Sequence, residues 1–395
     1  MRPMQIRQIS AAERTDTMFP LQTYAFFPSP WDDDEEREAY RRRMAYYETT
    51  VSMIAEENGR VLAGVGALPM RQNVRGAIYD MAGIASVASH PAARRRGFIR
   101  ALLERLLREM RDRGCAVTAL YPFRPSFYAR FGYVGLPRRR TAELTPEGLG
   151  HLLRADLPGT VERLPMAEAF DTYDALVLRL LEQRHGLAVY DDVRKAEFRH
   201  DKRWVAIARA GAEVVGAVSY RIDRFGGDLV ADDLLITGPL GRALLLQFFA
   251  RHVDQVARVV VTVGLDDAPE LWGTDLPVRY EGRVAFPSSS GPMARVLDLE
   301  KLSGMPVGEG AVTVRVVDDL IGGTYRVTGE SGQLAITRTA NADTALTAAG
   351  LSGLIYGVLD PIDVVTRGFG TVDDGAVEPL RALFPRRLPY LMADF

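Results

Sequence analysis

Cysteine is nearly absent: Cys115 stands alone in 395 residues. No disulfide can therefore close within the chain, and a reducing compartment is expected. The thiol lies between a predicted helix ending near Gly114 and the apolar pair Ala116 and Val117, the setting of a buried structural cysteine. Histidine is sparse too. His90, His151, His185, His200 and His252 are scattered without ligand spacing, so no metal is expected. Long apolar runs are missing, since Arg242 divides the longest, residues 234–249. The opening MRPMQIRQIS lacks the apolar core of a secretory leader, so a cytoplasmic protein without stable membrane insertion is expected. Charge of one sign is lacking as well. The 49 Lys and Arg against 51 Asp and Glu leave a net charge of −2. No basic stripe carries interleaved aromatics, and nucleic acid is not expected as a partner.

What is present is an ordinary globular composition, 47% hydrophobic and 25% charged. The chain is too long for one core, and two or three domains are expected. The first part reads as mixed α/β. A strand at residues 4–6 precedes a helix at 14–26, and Asp32 with Glu35 gives capping-box spacing for a second helix. Strands at 51–55 and 61–67 flank Asn58-Gly59, a hairpin signal. A strand at 82–88 leads through an arginine-rich turn into a helix. Its apolar stripe is Phe98, Ile99, Leu102, Leu103, Leu106, Leu107 and Met110, followed by a strand at 116–120.

The middle third echoes this order. A hairpin (204–208 and 214–220), a strand (229–236) and an apolar helix (242–249) repeat it, with ITGPLGRAL where the arginine turn stood. The composition shifts again after the Ser/Gly/Pro-rich residues 287–292. The rest alternates strands at 312–317, 323–328 and 332–338 with helices at 343–356 and 377–383, an α+β pattern. The expected domains are 1–149, 150–290 and 291–395.

The strongest chemical signal is VASHPAARRRGFI, residues 87–99. A strand ends, a basic turn follows, and an amphipathic helix starts at once. A helix N-terminus offers unpaired N–H groups and partial positive charge, which suits a pyrophosphate. Gly97 lets phosphate oxygens approach the backbone, and Arg94, Arg95 and Arg96 add charge. On its own the turn reads two ways, as a phosphate cradle or as a solvated basic turn. A second element, SFYARFGY at residues 126–133, lies just beyond the next strand.

Together these elements resemble the GNAT superfamily of acetyltransferases. Its acetyl-CoA turn reads [QR]-x-x-G-x-[GA] and its later helix F-Y-x-x-x-G-[FY]. Here Arg94 and Gly97 match, Ile99 replaces the usual small residue, and Phe127, Tyr128, Gly132 and Tyr133 complete the second motif. The whole chain resembles, more narrowly, the enhanced intracellular survival (Eis) family. That resemblance implies an α/β and α+β architecture: tandem GNAT domains, the second degenerate, followed by a sterol-carrier-protein-like α+β domain.

The resemblance further implies an acetyl-CoA-dependent N-acetyltransferase acting on primary amines, aminoglycosides or lysine side chains, assembled as a homohexamer. Acetyl-CoA would lie along Ser86, Val87, Ala88 and Ser89 and over Arg94, Arg95, Arg96, Gly97, Phe98 and Ile99. Tyr128 would be the general acid and the α-carboxylate of Phe395 the general base. Because the acceptors are cations, an acidic, aromatic-lined pocket is expected, with Phe26, Trp31, Asp32 and Asp394 as its candidate wall. Two rival readings stand beside this: a GNAT acting on another metabolite amine, and a lipid-binding scaffold.

Overall fold

The computed structural model describes residues 4–27, 34–287, 289–342 and 344–395. Trp31 and Asp32 lie outside these residues, as does position 343, the expected start of a late helix.

The chain opens with β1 (Gln5–Ile9), α1 (Arg14–Thr17), α2 (Phe19–Phe26) and α3 (Asp34–Arg42). The single helix expected at 14–26 is thus two, broken at Met18, and Pro20 begins the second one where its missing N–H costs nothing. Then come β2 (Val51–Glu57), β3 (Arg60–Val74), β4 (Ala77–Ser89), α4 (Phe98–Asp112), β5 (Val117–Leu120) and α5 (Pro125–Ala129). The Asn58-Gly59 turn joins β2 and β3 with both residues at positive φ, as a tight hairpin of this twist requires. The apolar stripe of α4 (Phe98, Leu102, Leu103, Leu106, Leu107 and Met110) is buried against β2, β3 and β4, as its period dictates.

The strands form three sheets, two of eight strands and one of five. The first sheet runs β1, β2, β3, β4, β5, then Met293–Val296 and Val134–Gly135; Ala188–Tyr190 pairs with the far end of β3. Its pairings are antiparallel throughout except β4 with β5. The second sheet runs Thr160–Pro165, Trp204–Ala210, Glu213–Ile222, Asp228–Asp233, Arg258–Val263, Arg140–Leu144 and Val278–Glu281. It has the same succession, with Asp228–Asp233 and Arg258–Val263 as its parallel pair. In each sheet a helix bridges the parallel pair, as a crossover connection must. That helix is α4 in the first and Pro239–Ala250 in the second.

Arg140–Leu144 lies in the second sheet although it precedes the middle third, and Met293–Val296 returns the chain to the first. The third sheet holds Gln333–Arg338, Gly323–Glu330, Gly310–Val317, Thr344–Thr347 and Gly370–Thr371. The helix expected from 343 begins only at Ala348, because Thr344–Thr347 pairs in parallel with Gly310–Val317 and Thr347 caps the helix. One apolar core joins this sheet to the first. It includes Met81, Val117 and Ala294 on one side and Val314, Leu346 and Leu354 on the other.

The last residues, from Pro385 on, have no regular structure yet Tyr390, Leu391 and Ala393 are buried. The tail passes so close over Gly186 that a Cβ there would overlap the backbone nitrogen of Tyr390. The His185 carbonyl accepts from that nitrogen at 2.8 Å.

Candidate active site

The site is built where β4 leaves β5. Their parallel register runs from Met81 opposite Val117 to Ile84 opposite Leu120, and there β5 ends. Residues 85–89 of β4 continue, bonded on one side to β3 only. A bulge at this point carries Ser86 at φ 58°, a left-handed conformation that a serine adopts only under constraint. The edge facing β5 is therefore open along Ser86, Val87, Ala88 and Ser89. A ligand chain with amide groups could pair there as an added strand.

β4 ends at a short 3-10 turn, Pro91–Ala93, where the His90 ring accepts from the Ala92 N–H. Arg95 (φ 63°) and Gly97 (φ 87°) then turn the backbone into α4. A Cβ on Gly97 would meet nothing within 4 Å. The space above the first turn of α4 is open, and its leading N–H groups have no acceptor one turn back. Arg94 and Arg95 are exposed beside it. Arg96 is turned aside: its guanidinium donates to both carboxylate oxygens of Glu57 at 2.7 and 2.9 Å and lies over the Phe98 ring. Phe98 is 3% exposed, so its side chain belongs to the core and only its backbone faces the opening. Ile99 is half-buried against the same core.

The same place in the second sheet is built differently. Inside the first turn of Pro239–Ala250 a Cβ on Gly241 would overlap the Val215 carbonyl of strand Glu213–Ile222, although at the N-cap Gly238 a Cβ would meet nothing within 4 Å, as at Gly97. Thr237 is bonded to that carbonyl as well. The cleft between the parallel strands is filled by Tyr390. Its hydroxyl donates to Asp233, its ring lies 3.5 Å from where a Cβ of Gly264 would stand, and Arg184 covers its face. Loss of the arginine turn is thus matched by occupation of the strand cleft, not of the helix start.

Tyr128, on α5, is 2% exposed and ringed by Phe123, Phe127 and Tyr133 at centroid distances of 5.5, 5.1 and 6.2 Å. Its hydroxyl has no hydrogen-bond partner among the described residues, yet it is not among the sealed polar atoms. The group therefore faces open space. Burial, and then the neighbouring Tyr133, push its pKa above the ordinary phenol value.

Phe395 reaches the first sheet. Its ring lies 3.2 Å from where a Cβ of Gly83 on β4 would stand, and Tyr121, just past β5, meets it edge-on at 5.6 Å. Tyr121 donates to the Ala393 carbonyl at 3.1 Å and Tyr190 to that of Asp394. Arg139 ties the tail to the second sheet, donating to Asp394 at 2.8 Å and to buried Asp233 at 2.6 Å. The terminal carboxylate itself has no ion-pair partner among the described residues.

A cavity of about 640 Å³ opens beside the tail, lined in part by Phe26, Tyr121, Phe123, Arg138, Arg139 and Asp394. It brings together Phe26 and Asp394, two of the four residues named for the acceptor wall. Phe26, Tyr121 and Phe123 give it aromatic walls. Arg139 pairs Asp394 with Asp233, Arg138 adds a second cation, and Asp394 also lines a neighbouring cavity with Asp174, Asp201, Asp232 and Asp233. Sequence reasoning missed Tyr121, Arg139 and Asp233. The arginine run 138–140 and the aromatic run 121–128 were visible, but nothing local shows that they meet the tail.

The description Acetyltransferase (GNAT) domain matches residues 5–135. An uncharacterized N-acetyltransferase of Streptomyces avermitilis is 26% identical over 389 residues, 92% of this chain and 91% of that protein. N-acetyltransferase Eis of Mycobacterium tuberculosis is 38% identical over 82 residues, 21% of this chain and 20% of its own. Among solved structures, a GCN5-related N-acetyltransferase from Anabaena variabilis superposes with TM-score 0.83 at 17% identity, each chain fully covered. Eis1 from Mycobacterium abscessus gives 0.79 at 18%, also with full coverage of both chains, and shows the shared fold. Residues 5–135 thus match a GNAT acetyltransferase domain, and the chain resembles the enhanced intracellular survival family of GNAT N-acetyltransferases.

Proposed function

We propose that this protein transfers the acetyl group of acetyl-CoA directly to a primary amine. The observation that carries the reading is the open edge of β4 at residues 85–89, continuous with the unobstructed helix start at Gly97. The first suits the two amides of a pantetheine arm and the second a pyrophosphate, with Arg94 and Arg95 adding charge. The GNAT match over residues 5–135 supports the same donor. No metal is required, because thioester aminolysis needs only proton transfers.

In this reading the thioester lies at the parting of β4 and β5, between Tyr128 and the end of the chain. An amine is mostly ammonium at neutral pH and must lose a proton before it attacks. The Phe395 α-carboxylate, unpaired and anchored by its ring, takes that proton directly or through water. Tyr128 gives a proton to the leaving sulfur. With its pKa raised, the phenol stays protonated at neutral pH but is a weaker acid than an ordinary tyrosine. It acts as a hydrogen-bond donor that strengthens as thiolate charge develops.

The acceptor class in this proposal is a primary amine, on an aminoglycoside or a lysine side chain. Phe26, Tyr121 and Phe123 are the surfaces for it. The third domain is proposed to be sterol-carrier-protein-like, serving to deliver Phe395, and the assembly to be a hexamer of cytoplasmic chains. The test is release of CoA thiol from acetyl-CoA over a panel of aminoglycosides, lysine peptides and small metabolite amines. Turnover with any amine supports the reading; acetyl-CoA binding with no turnover on any of them would favour the lipid-binding scaffold.

A further inference from the structure

The first helix carries a cation that the mechanism does not use. Arg14 is 0% exposed and has no carboxylate partner among the described residues. Its guanidinium donates to hydroxyls instead: to Tyr40 at 3.3 Å, to Ser52, and to Ser86 at 3.3 Å. Its face lies 4.4 Å from the centroid of the Tyr47 ring. Beside it, above Gly66, the buried Thr50 hydroxyl has no partner. An isolated buried charge is costly, and an apolar side chain of the same volume would serve packing better.

What Arg14 holds is the bulge. Ser86 is its most distant partner in sequence and the residue at φ 58°, at the point where β4 parts from β5. A non-glycine residue keeps that conformation only when its surroundings over-determine it. The constraint here is bonding of the Ser86 hydroxyl to a guanidinium that is itself fixed by β2 through Ser52 and by α3 through Tyr40.

We propose that Arg14 is a positioning residue: by pinning Ser86 it sets the β4 bulge, and with it the edge on which acetyl-CoA lies. This rests on the proposed donor site. Arg14→Met is expected to raise the KM for acetyl-CoA about tenfold or more while the KM for the amine stays unchanged. Ser86→Ala, which removes only the acceptor hydroxyl, should give a loss of the same size. Glycine adopts φ 58° without help. The double variant Arg14→Met with Ser86→Gly should therefore bind acetyl-CoA better than Arg14→Met alone, a rescue that a purely structural role would not produce. Should Arg14→Met fail to fold, Ser86→Ala against Ser86→Gly reads the same pin. Wild-type acetyl-CoA affinity in Arg14→Met or in Ser86→Ala would overturn the proposal alone. Wild-type protein that binds no acetyl-CoA would overturn the donor site and this inference together.

Discussion

Tyr128 and His185 show how much a single side chain depends on what encloses it. Tyr128 sits in a cage of aromatic rings, but its hydroxyl is left without a protein partner. Tyr128→Phe keeps every ring contact and removes only the donor. It should melt like wild type and lose on the order of 10²–10⁴-fold in kcat. Steady-state kinetics with unchanged turnover would return Tyr128 to packing. His185 is 3% exposed, held between the β3–β4 turn, the end of helix Ala348–Ile355 and the tail. Its Nδ1 accepts from the Arg75 N–H, so Nε2 carries the proton and donates to the Tyr356 carbonyl at 3.0 Å. Burial holds its pKa down to about 4 against an ordinary 6.5. Between those values the unfolded chain binds the proton and the folded one does not. Stability is therefore fully present above 6.5 and is lost as pH falls toward 4, by about 3 kcal/mol over that window. Melting curves should show a shallower acid slope for His185→Gln; equal slopes would place the titration elsewhere.

At the scale of elements, the tail ties the two halves of the site together. It crosses Gly186, fills the closed cleft of the second sheet with Tyr390, and lays Phe395 on β4 at Gly83. Residues added after Phe395 would turn its carboxylate into an amide and push the ring from its seat. A C-terminal tag should cut turnover by orders of magnitude with acetyl-CoA affinity nearly unchanged, while an N-terminal tag leaves both intact. Equal turnover of the two forms would remove the carboxylate from the chemistry. The arginine turn was legible in the sequence because strand, turn and helix are contiguous, so the motif and its geometry share one stretch of chain. The tail's partners were not. Tyr121, Tyr190 and Arg139 reach it over separations of 272, 204 and 255 residues, and no local pattern encodes such meetings. The helix Met166–Gln183 is different. Its buried Met166, Ala169, Leu176, Val177, Leu180 and Leu181 follow helical spacing and could have been read.

Across the whole molecule, two sheets share one strand order, and the proposed donor site lies in the first alone. The echo in the middle third was readable as a repeated hairpin, strand and helix. The exchange of Arg140–Leu144 and Met293–Val296 between the sheets was not, because each strand pairs far from its neighbours in sequence. The arginine turn present only before α4, and the cleft that Tyr390 fills in the second sheet, make the asymmetry testable as a stoichiometry. Calorimetric titration of the full chain with acetyl-CoA is the most direct test of the account. It predicts one equivalent bound per chain in wild type, and binding weakened at least tenfold by Arg94→Ala with Arg95→Ala. No binding, two equivalents, or undiminished binding in that double variant would contradict it.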